Sequence, residues 1–485
     1  MPKTVEYQIR PLGWENDPEE ERIRFSSLDY LAACTYNSYT IFVRLKDDSN
    51  HEKTAVIDTL KTGLERTLAQ CRQLVGTIEK NENDDDHSFV KKRDSAVKFI
   101  VKYFDISDDV PSLAELEAAH FASSQLGDTT RFVVGGMSYG EKPACLPSAH
   151  PPIAAFQANF IPGGGLIFVT NSHHYSNDVM GFGHFVHQLA ENCVSVMRNT
   201  DPPAWDPANL DATRFTAVNF PSASKVDGPT PPDRNPSLLH EHASLLLHLP
   251  PARAAELKKV ASPTAVEGQG AKWISTYDAF TALLWRVLTR HRAALYHSAP
   301  EEVPLFFEGI NMRRRASPPV GPRQQRNLFW PVGAASIPPP LSVAEITGSD
   351  GTSLSVLAGK VRAMTDSINQ AALDQALAML APVRDKTCLF TRVNAFPPLT
   401  TAVTDWRDAE ICEVEFGFGE VAAFRHLFDA VTEGLVVVYS PRKGEGEGCE
   451  FVVTVERDIV DAVLADAELM RFFEFRGYEV EAKTV

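Results

Sequence analysis

GLIFVTNSHHYSNDVMGFGHF, residues 165–185, joins two patterns of different period within twenty-one positions. Gly165 to Thr170 is an unbroken run of apolar and β-branched residues, the signature of a buried strand. Beyond it, Val179, Phe182, Phe185, Val186, Leu189, Cys193, Val196 and Met197 recur at steps of three and four, as on one face of a helix. His174 and Asp178 stand where the strand gives way to the helix. A rigid junction of this kind presents side chains into a cleft.

A neutral imidazole takes a proton from a hydroxyl or amine as that atom attacks a carbonyl, so His174 is a candidate general base. Asp178 either orients it or caps the helix that starts at Val179. His173, His174, Asp178, His184 and His187 would together be a metal-binding set, yet nothing in their spacing fixes a ligand geometry. No metal is expected. His184 and His187 read as helix surface or packing.

Working outward, the length of 485 residues exceeds what one core holds, and two domains are expected. The proline-rich stretch PSASKVDGPTPPDRNPS at 221–237 is the best linker, giving halves at 1–220 and 241–485 with a crossover over 221–240. Strands are expected at 95–105, 156–160, 303–312, 390–395, 411–416, 434–440 and 449–455. Helices are expected at 54–75, ended by Gly76, at 112–126, at 353–382 and at 458–473. Another follows Ser275, whose hydroxyl and the Asp278 carboxylate form a capping box. Helices and strands alternate without the βα rhythm of a barrel, so layered α/β domains with mixed sheets are expected.

A formal charge of −16 opposes binding to nucleic acid or to an anionic membrane. The seven cysteines form no CxxC pair, which fits a reducing compartment, and no apolar run reaches the length of a membrane span. A cytoplasmic monomer is expected. Gly136-Met-Ser-Tyr-Gly140 matches the GxSxG pattern of serine hydrolases, but that motif needs a helix directly after the serine, and Lys142, Pro143 and Pro147 prevent one.

HHYSNDVMG at 173–181 resembles the HHxxxDG motif of the BAHD acyltransferases, most closely their fungal, trichothecene 3-O-acetyltransferase-like branch. Four further segments match in order: LKTGLERTLAQCRQLVG at 60–76, STYDAFTALLWRVLTRHR at 275–292, INMRRRASPPV at 310–320 and TDWRDAEICEVEFGFG at 404–419. They are similar to that family's early helix ending in PxLAG and to its STxDAxxAxxWR, DxRxRxxPP and TSWxxxxxxxxDFGWG segments. The resemblance implies two similar-sized mixed-sheet domains with an active-site channel between them. Acyl-CoA, with acetyl favoured, would meet a small acceptor bearing a hydroxyl or amine at His174, with no acyl-enzyme.

Carried across, Asp178 would pair with Arg313, and Trp406 would line the acyl site and touch the oxyanion. Gly181 would help pack the loop, and Glu415, Gly417 and Gly419 would support the site structurally, distant from the reacting atoms. Lys258, Lys259, Ser275 and Arg314 are the candidates for holding CoA. Val179 stands in place of a glycine, Asn311 in place of the aspartate of DxR, and Arg326-Asn327 where glycine-asparagine is frequent. Asp405 replaces the serine of TSW and brings a negative charge toward the acceptor side. Two other readings stay open: a transferase or condensing enzyme that takes acyl groups only from a carrier protein, and a non-catalytic ligand-binding protein on the same scaffold.

Overall fold

A computed structural model describes residues 2–82, 85–216, 224–230, 240–263, 273–389, 391, 396–428, 432–444 and 446–483. Three sheets organise it. The first has the order β1-β6-β7-β8-β3-β13, built from Lys3–Ile9 (β1), Tyr36–Leu45 (β3), Val97–Tyr103 (β6), Ala154–Ile161 (β7), Gly165–His173 (β8) and Gly419–His426 (β13). The second, of order β11-β10-β12-β14-β15-β9-β16, uses His242–Leu249 (β9), Phe306–Asn311 (β10), Phe329–Gly333 (β11), Thr401–Asp405 (β12), Leu435–Val438 (β14), Cys449–Glu456 (β15) and Glu474–Lys483 (β16). A small third sheet joins Glu20–Arg24 (β2), His87–Lys92 (β5) and Thr77–Lys80 (β4).

Both large sheets are mixed: β6 and β7 run parallel in the first, and β10, β12 and β14 run parallel in the second. The layers are therefore the α/β architecture with mixed sheets expected from the alternation of elements. One strand crosses between halves. β13 belongs to the second half of the chain but pairs antiparallel with β3 of the first sheet, His426 opposite Tyr39.

The β7–β8 hairpin turns through residues 162–164, with Ile161 opposite Gly165, and β8 is buried along its whole length. The helix Val179–Arg198 then packs on the helix Asn50–Gln70. Their contact is close because Gly63 carries no side chain: a Cβ there would lie 2.6 Å from Cys193 Sγ. Phe182, Phe185, Val186, Leu189 and Cys193 are buried as the spacing predicts, whereas Met197 is 45% exposed. Burial of each large side chain contributes about 1.5–3 kcal/mol.

Several elements depart from the sequence pattern. The first long helix stops at Gln70, and Gly76, at φ +104, instead lets the chain pass 2.0 Å from Val90 O, measured from an ideal Cβ. No strand covers 411–416; Ile411–Glu413 is a 3-10 turn after Glu410 at φ +51, and the strand comes later, as β13. The helix expected at 353–382 is two helices, Leu354–Ser367 and Gln370–Leu380. Asp466 caps a new short helix within the span 458–473. The strand read at 390–395 lies outside the described residues except for Thr391, and so does most of the linker.

Candidate active site

The loop from His173 to Asp178 is fixed almost atom by atom. His173 is fully buried, donates from Nε2 to Cys145 O at 2.9 Å and accepts at Nδ1 from the Tyr175 amide, which uses both ring nitrogens. Burial pushes its pKa down to about 4, so it stays neutral. His174 donates its backbone N–H to Thr35 O, and its carbonyl accepts from Asn327 Nδ2. Its Nδ1 lies 3.2 Å from Asn177 O. A carbonyl only accepts, so Nδ1 carries the proton and Nε2 keeps its lone pair. Burial lowers the His174 pKa below the ordinary imidazole value, against smaller opposing effects of hydrogen bonding and of the Asp178 charge. The ring is thus a neutral base at pH 7, held in one tautomer by a backbone carbonyl.

Asp178 has a different occupation. Its Oδ1 accepts from the Gly181 amide at 2.8 Å, capping the helix, and its Oδ2 accepts from the Leu328 amide and from Arg313 Nη1, each at 2.8 Å. Burial alone would raise its pKa; the Arg313 charge and these hydrogen bonds prevail and hold the carboxylate below its ordinary value. Arg313 also donates to the carbonyls of Gln324 and Arg326. A Cβ on Gly181 would lie 2.8 Å from Asn177 Oδ1 and 2.9 Å from Arg326 O, so the glycine lost at Val179 is matched by a necessary one two residues later. Arg326 sits at φ +78, where an L-residue is strained, but its guanidinium pairs with buried Asp29 from the other half of the chain. Asn327 adds bonds to Tyr175 O and Asp29 Oδ1.

Between the two large sheets lies a cavity of about 180 Å³. Asn37 and Tyr39 of β3 and His426 of β13 form one wall, strands β10, β12 and β14 the other, and His174 with Met180 closes it between them. The lining is mainly aromatic and aliphatic. Trp406 lines it, with the indole N–H donated to Thr404 Oγ1 at 2.9 Å. The indole therefore shows the cavity its ring, and the Thr404 hydroxyl, also in the lining, keeps its own proton to donate. The negative charge of Asp405 is matched within two residues: Arg407 donates from Nε to Oδ1 at 2.9 Å and from Nη2 to Oδ2 at 2.6 Å.

The remaining expected site residues lie elsewhere. Gly417, at φ +88, packs on the far end of the Val179–Arg198 helix, where an added Cβ would meet Met197 Sδ at 2.8 Å. Glu415 is exposed and bridges Glu420, and Gly419 starts β13 opposite Leu45. None of these three lines the cavity. Ser275 is committed to the capping box, its hydroxyl accepting from the Asp278 amide and its own amide donating to the Asp278 carboxylate. Lys258 and Lys259 lie on the helix Pro251–Ala261, which contributes no lining residue. Arg314, 80% exposed in its side chain, pairs with Asp408 at a separate mouth that also holds Arg313, Arg323, His184 and His187. That mouth shares Met180 and Asn311 with the cavity. His184 and His187 bond to Gln324 O and Ala409 O, and no cluster among the described residues has the composition to hold a metal ion. No helix among them is long and apolar enough to cross a membrane.

Tyr39, Tyr139, Thr404 and His426 escaped the sequence reading. Tyr39, Tyr139 and His426 carry no motif, and only the pairing of β13 with β3 brings His426 to the cavity; Thr404 opens the TDW segment, whose resemblance assigns it no role. Ser138 of the GxSxG pattern lies outside any helix or strand and accepts from Lys142, and the next helical element is a single 3-10 turn at Pro143–Cys145, not a helix starting at the serine.

The profile of the Transferase family matches residues 14–470. Acetyltransferase FGR3 of Gibberella zeae is 47% identical over 488 residues, covering 99% of this chain and 95% of the relative. Trichothecene 3-O-acetyltransferase TRI101 of Fusarium sporotrichioides is 23% identical, covering 91% of this chain and 94% of the relative. The fold is similar to the crystal structure of F. sporotrichioides TRI101 complexed with coenzyme A and T-2, at a TM-score of 0.74 and 20% identity, over 94% of this chain and 100% of that one. It is also similar to vinorine synthase, at a TM-score of 0.65 and 18% identity, over 97% and 98%.

Proposed function

The chain belongs to the Transferase family, the BAHD-type acyltransferases that its motifs resemble, and from that membership we propose that it moves an acetyl or other small acyl group from CoA to a hydroxyl or amine of a small metabolite. The observation that carries the reading is the tautomer of His174. With Nδ1–H given to Asn177 O, Nε2 is the proton acceptor beside the cavity. It takes the acceptor's proton as the oxygen or nitrogen attacks the thioester carbonyl, and the resulting imidazolium returns that proton to the departing thiolate. The acyl group passes directly between substrates, with no acyl-enzyme. Base catalysis of this kind contributes about 10²- to 10⁴-fold.

Asp178 and Arg313 position the loop rather than relay protons, since both oxygens of the carboxylate are occupied away from the imidazole. Thr404, whose hydroxyl is oriented by Trp406, is the donor we assign to the developing oxyanion. Arg314 and Arg323 at the second mouth would face the phosphates of CoA. The net charge argues against binding to nucleic acid or an anionic membrane, the unpaired cysteines fit a cytoplasmic protein, and we take it as a monomer whose two units are residues 1–220 and 241–485, with β13 of the second passed into the sheet of the first.

Incubation with free acetyl-CoA and a panel of hydroxylated metabolites, followed by thiol release, tests the proposal. Acceptor-dependent release is expected. Release only when the acyl group is offered on a phosphopantetheine carrier protein would favour the carrier-dependent reading, and ligand binding without any release would favour a non-catalytic one.

A further inference from the structure

The carbonyl that sets the tautomer of His174 belongs to Asn177, and nothing in the transfer chemistry uses the side chain of that residue. Asn177 fills one of the three positions between the motif histidine and aspartate, where the resemblance assigns no role. Its side chain is nevertheless clamped on both sides. It is buried, its Oδ1 accepts the backbone N–H of Arg326 at 2.6 Å, and its Nδ2 donates to Gln325 Oε1 at 3.2 Å. Gln325 is fully buried and extends the chain of bonds, its Nε2 donating to Arg323 O at 3.1 Å. Both amides are thereby oriented: an N–H at one end requires Oδ1 of Asn177, and a carbonyl at the other requires Nε2 of Gln325. Asn177 also forms an isolated parallel bridge with Arg326. Arg326 is itself tied down, its guanidinium pairing with Asp29 and lying 4.8 Å from the centroid of the Phe89 ring.

We propose that Asn177 is a positioning residue for acyl transfer: its side-chain amide, held between Arg326 and Gln325, keeps its own carbonyl on His174 Nδ1–H and so keeps Nε2 as the base. The inference rests on the reading of His174 as general base and deepens it. The carbonyl of Asn177 shares a peptide plane with the amide nitrogen of Asp178. Asp178 is pinned at one end of that plane by Arg313, Gly181 and Leu328, and Asn177 is pinned at the other by its side chain. With only the Asp178 end fixed, the plane turns about the Cα of residue 177 and the carbonyl swings off the ring. The imidazole then has no partner selecting Nδ1–H. The tautomer with its hydrogen on Nε2, which cannot take a proton from the acceptor there, becomes populated. Gln325 and Arg326 come from the second half of the chain, so the clamp ties the state of the base to the docking of the two halves.

The test compares Asn177→Ala, Gln325→Met and the double variant with the wild type, using acetyl-CoA and the alcohol turned over fastest in the panel above. Asn177→Ala is expected to lower kcat by about 10- to 100-fold and to leave both KM values within about twofold, since no substrate contact is lost. Gln325→Met cuts the clamp one residue further from the ring and should lower kcat by less. The double variant should be no slower than Asn177→Ala, because both changes act through one clamp. In protein carrying nitrogen-15-labelled histidine, the His174 signals are assigned by their absence from His174→Ala. They should report one tautomer, Nδ1–H, in the wild type at pH 7 and a mixture in Asn177→Ala. A folded Asn177→Ala protein with wild-type kcat overturns the inference. A loss of kcat with the tautomer unchanged overturns it equally and leaves the side chain a role in folding alone. A rise in KM at unchanged kcat overturns it in favour of substrate binding. Should Asn177→Ala fail to fold, Gln325→Met carries the same measurements. Wild-type turnover by His174→Ala removes the base assignment and this inference with it, whereas an inactive His174→Ala beside a normal Asn177→Ala removes this inference alone.

Discussion

The two sides of the cavity are built on opposite plans. On one side, the loop carrying His174 is over-determined: each polar atom of Asp178 has a partner, both nitrogens of His173 are used, and Asn327 pins the carbonyls of His174 and Tyr175. On the other, β13 brings His426 to the cavity inside a cage of rings, Phe428, Tyr139, Tyr39 and Trp406, and the lining is mainly apolar. The first side holds one reactive nitrogen still. The second meets what enters with rings and aliphatic side chains. The difference separates chemistry from recognition: a base works by being in one place and one tautomer, whereas an apolar wall selects by the shape it leaves open.

Perturbing the held side should produce the largest losses. His174→Ala is expected to lower kcat by about 10²- to 10⁴-fold while circular dichroism and melting stay near those of the wild type, because the imidazole's own bond is to a local carbonyl. Wild-type turnover by the folded variant would sink the assignment of the base.

Next in size is Arg313→Ala. It leaves Asp178 as a buried carboxylate without its cation, a change that costs about 3–5 kcal/mol, and it frees the loop, so melting temperature and activity should fall together. Unchanged melting with full activity would show that the pair does not anchor the loop. Asp178→Asn should lower melting and activity as well, since it removes the charge opposite Arg313 and turns an NH2 group toward N–H donors on one side; unchanged melting with full activity would count against the bridge.

Acid sensitivity tests a feature that both sides share. His173 and His426 are fully enclosed and have folded pKa values of about 4 and about 3, below the ordinary 6.5. As pH falls from 6.5, the unfolded chain takes up protons that the folded chain refuses, so folding stability should drop toward pH 4 by about 1.4 kcal/mol per pH unit for each histidine. Denaturant titrations between pH 7 and 5 check this. A midpoint independent of pH over that range would show that these rings are not held neutral.

Much of the held side is legible in sequence because its logic is local. A β-branched run, a capping aspartate and a helical stripe sit in one continuous stretch, and the motif order names the distant arginine. Trp406 was legible as a cavity residue through its motif, but its bond to Thr404 was not, since a hydroxyl two residues away on a strand gives no sequence signal. The other wall was illegible for a physical reason. GEVAAFRH at 419–426 has two alanines and two charged residues where a buried strand would show branched apolar residues, and it forms the edge strand of the first sheet with Arg425 buried against Glu450 and Glu479. ICEVEF at 411–416 looked more like a strand and is a turn instead, because Glu410 adopts a left-handed conformation ahead of it. Lys258 and Lys259 suggest a phosphate site only by their charge, and their helix lines no part of the cavity.

The measurement closest to the centre of this account is the pH dependence of kcat/KM for acyl transfer. Burial holds His174 below the ordinary imidazole pKa, so it is neutral at pH 7 and accepts a proton only when the pH falls through that lowered value. The account predicts a plateau above pH 6.5 and a single-proton acid limb with its midpoint below 6.5, which disappears from the residual activity of His174→Ala. An acid limb with its midpoint above 6.5, or the same limb surviving in His174→Ala, would contradict it.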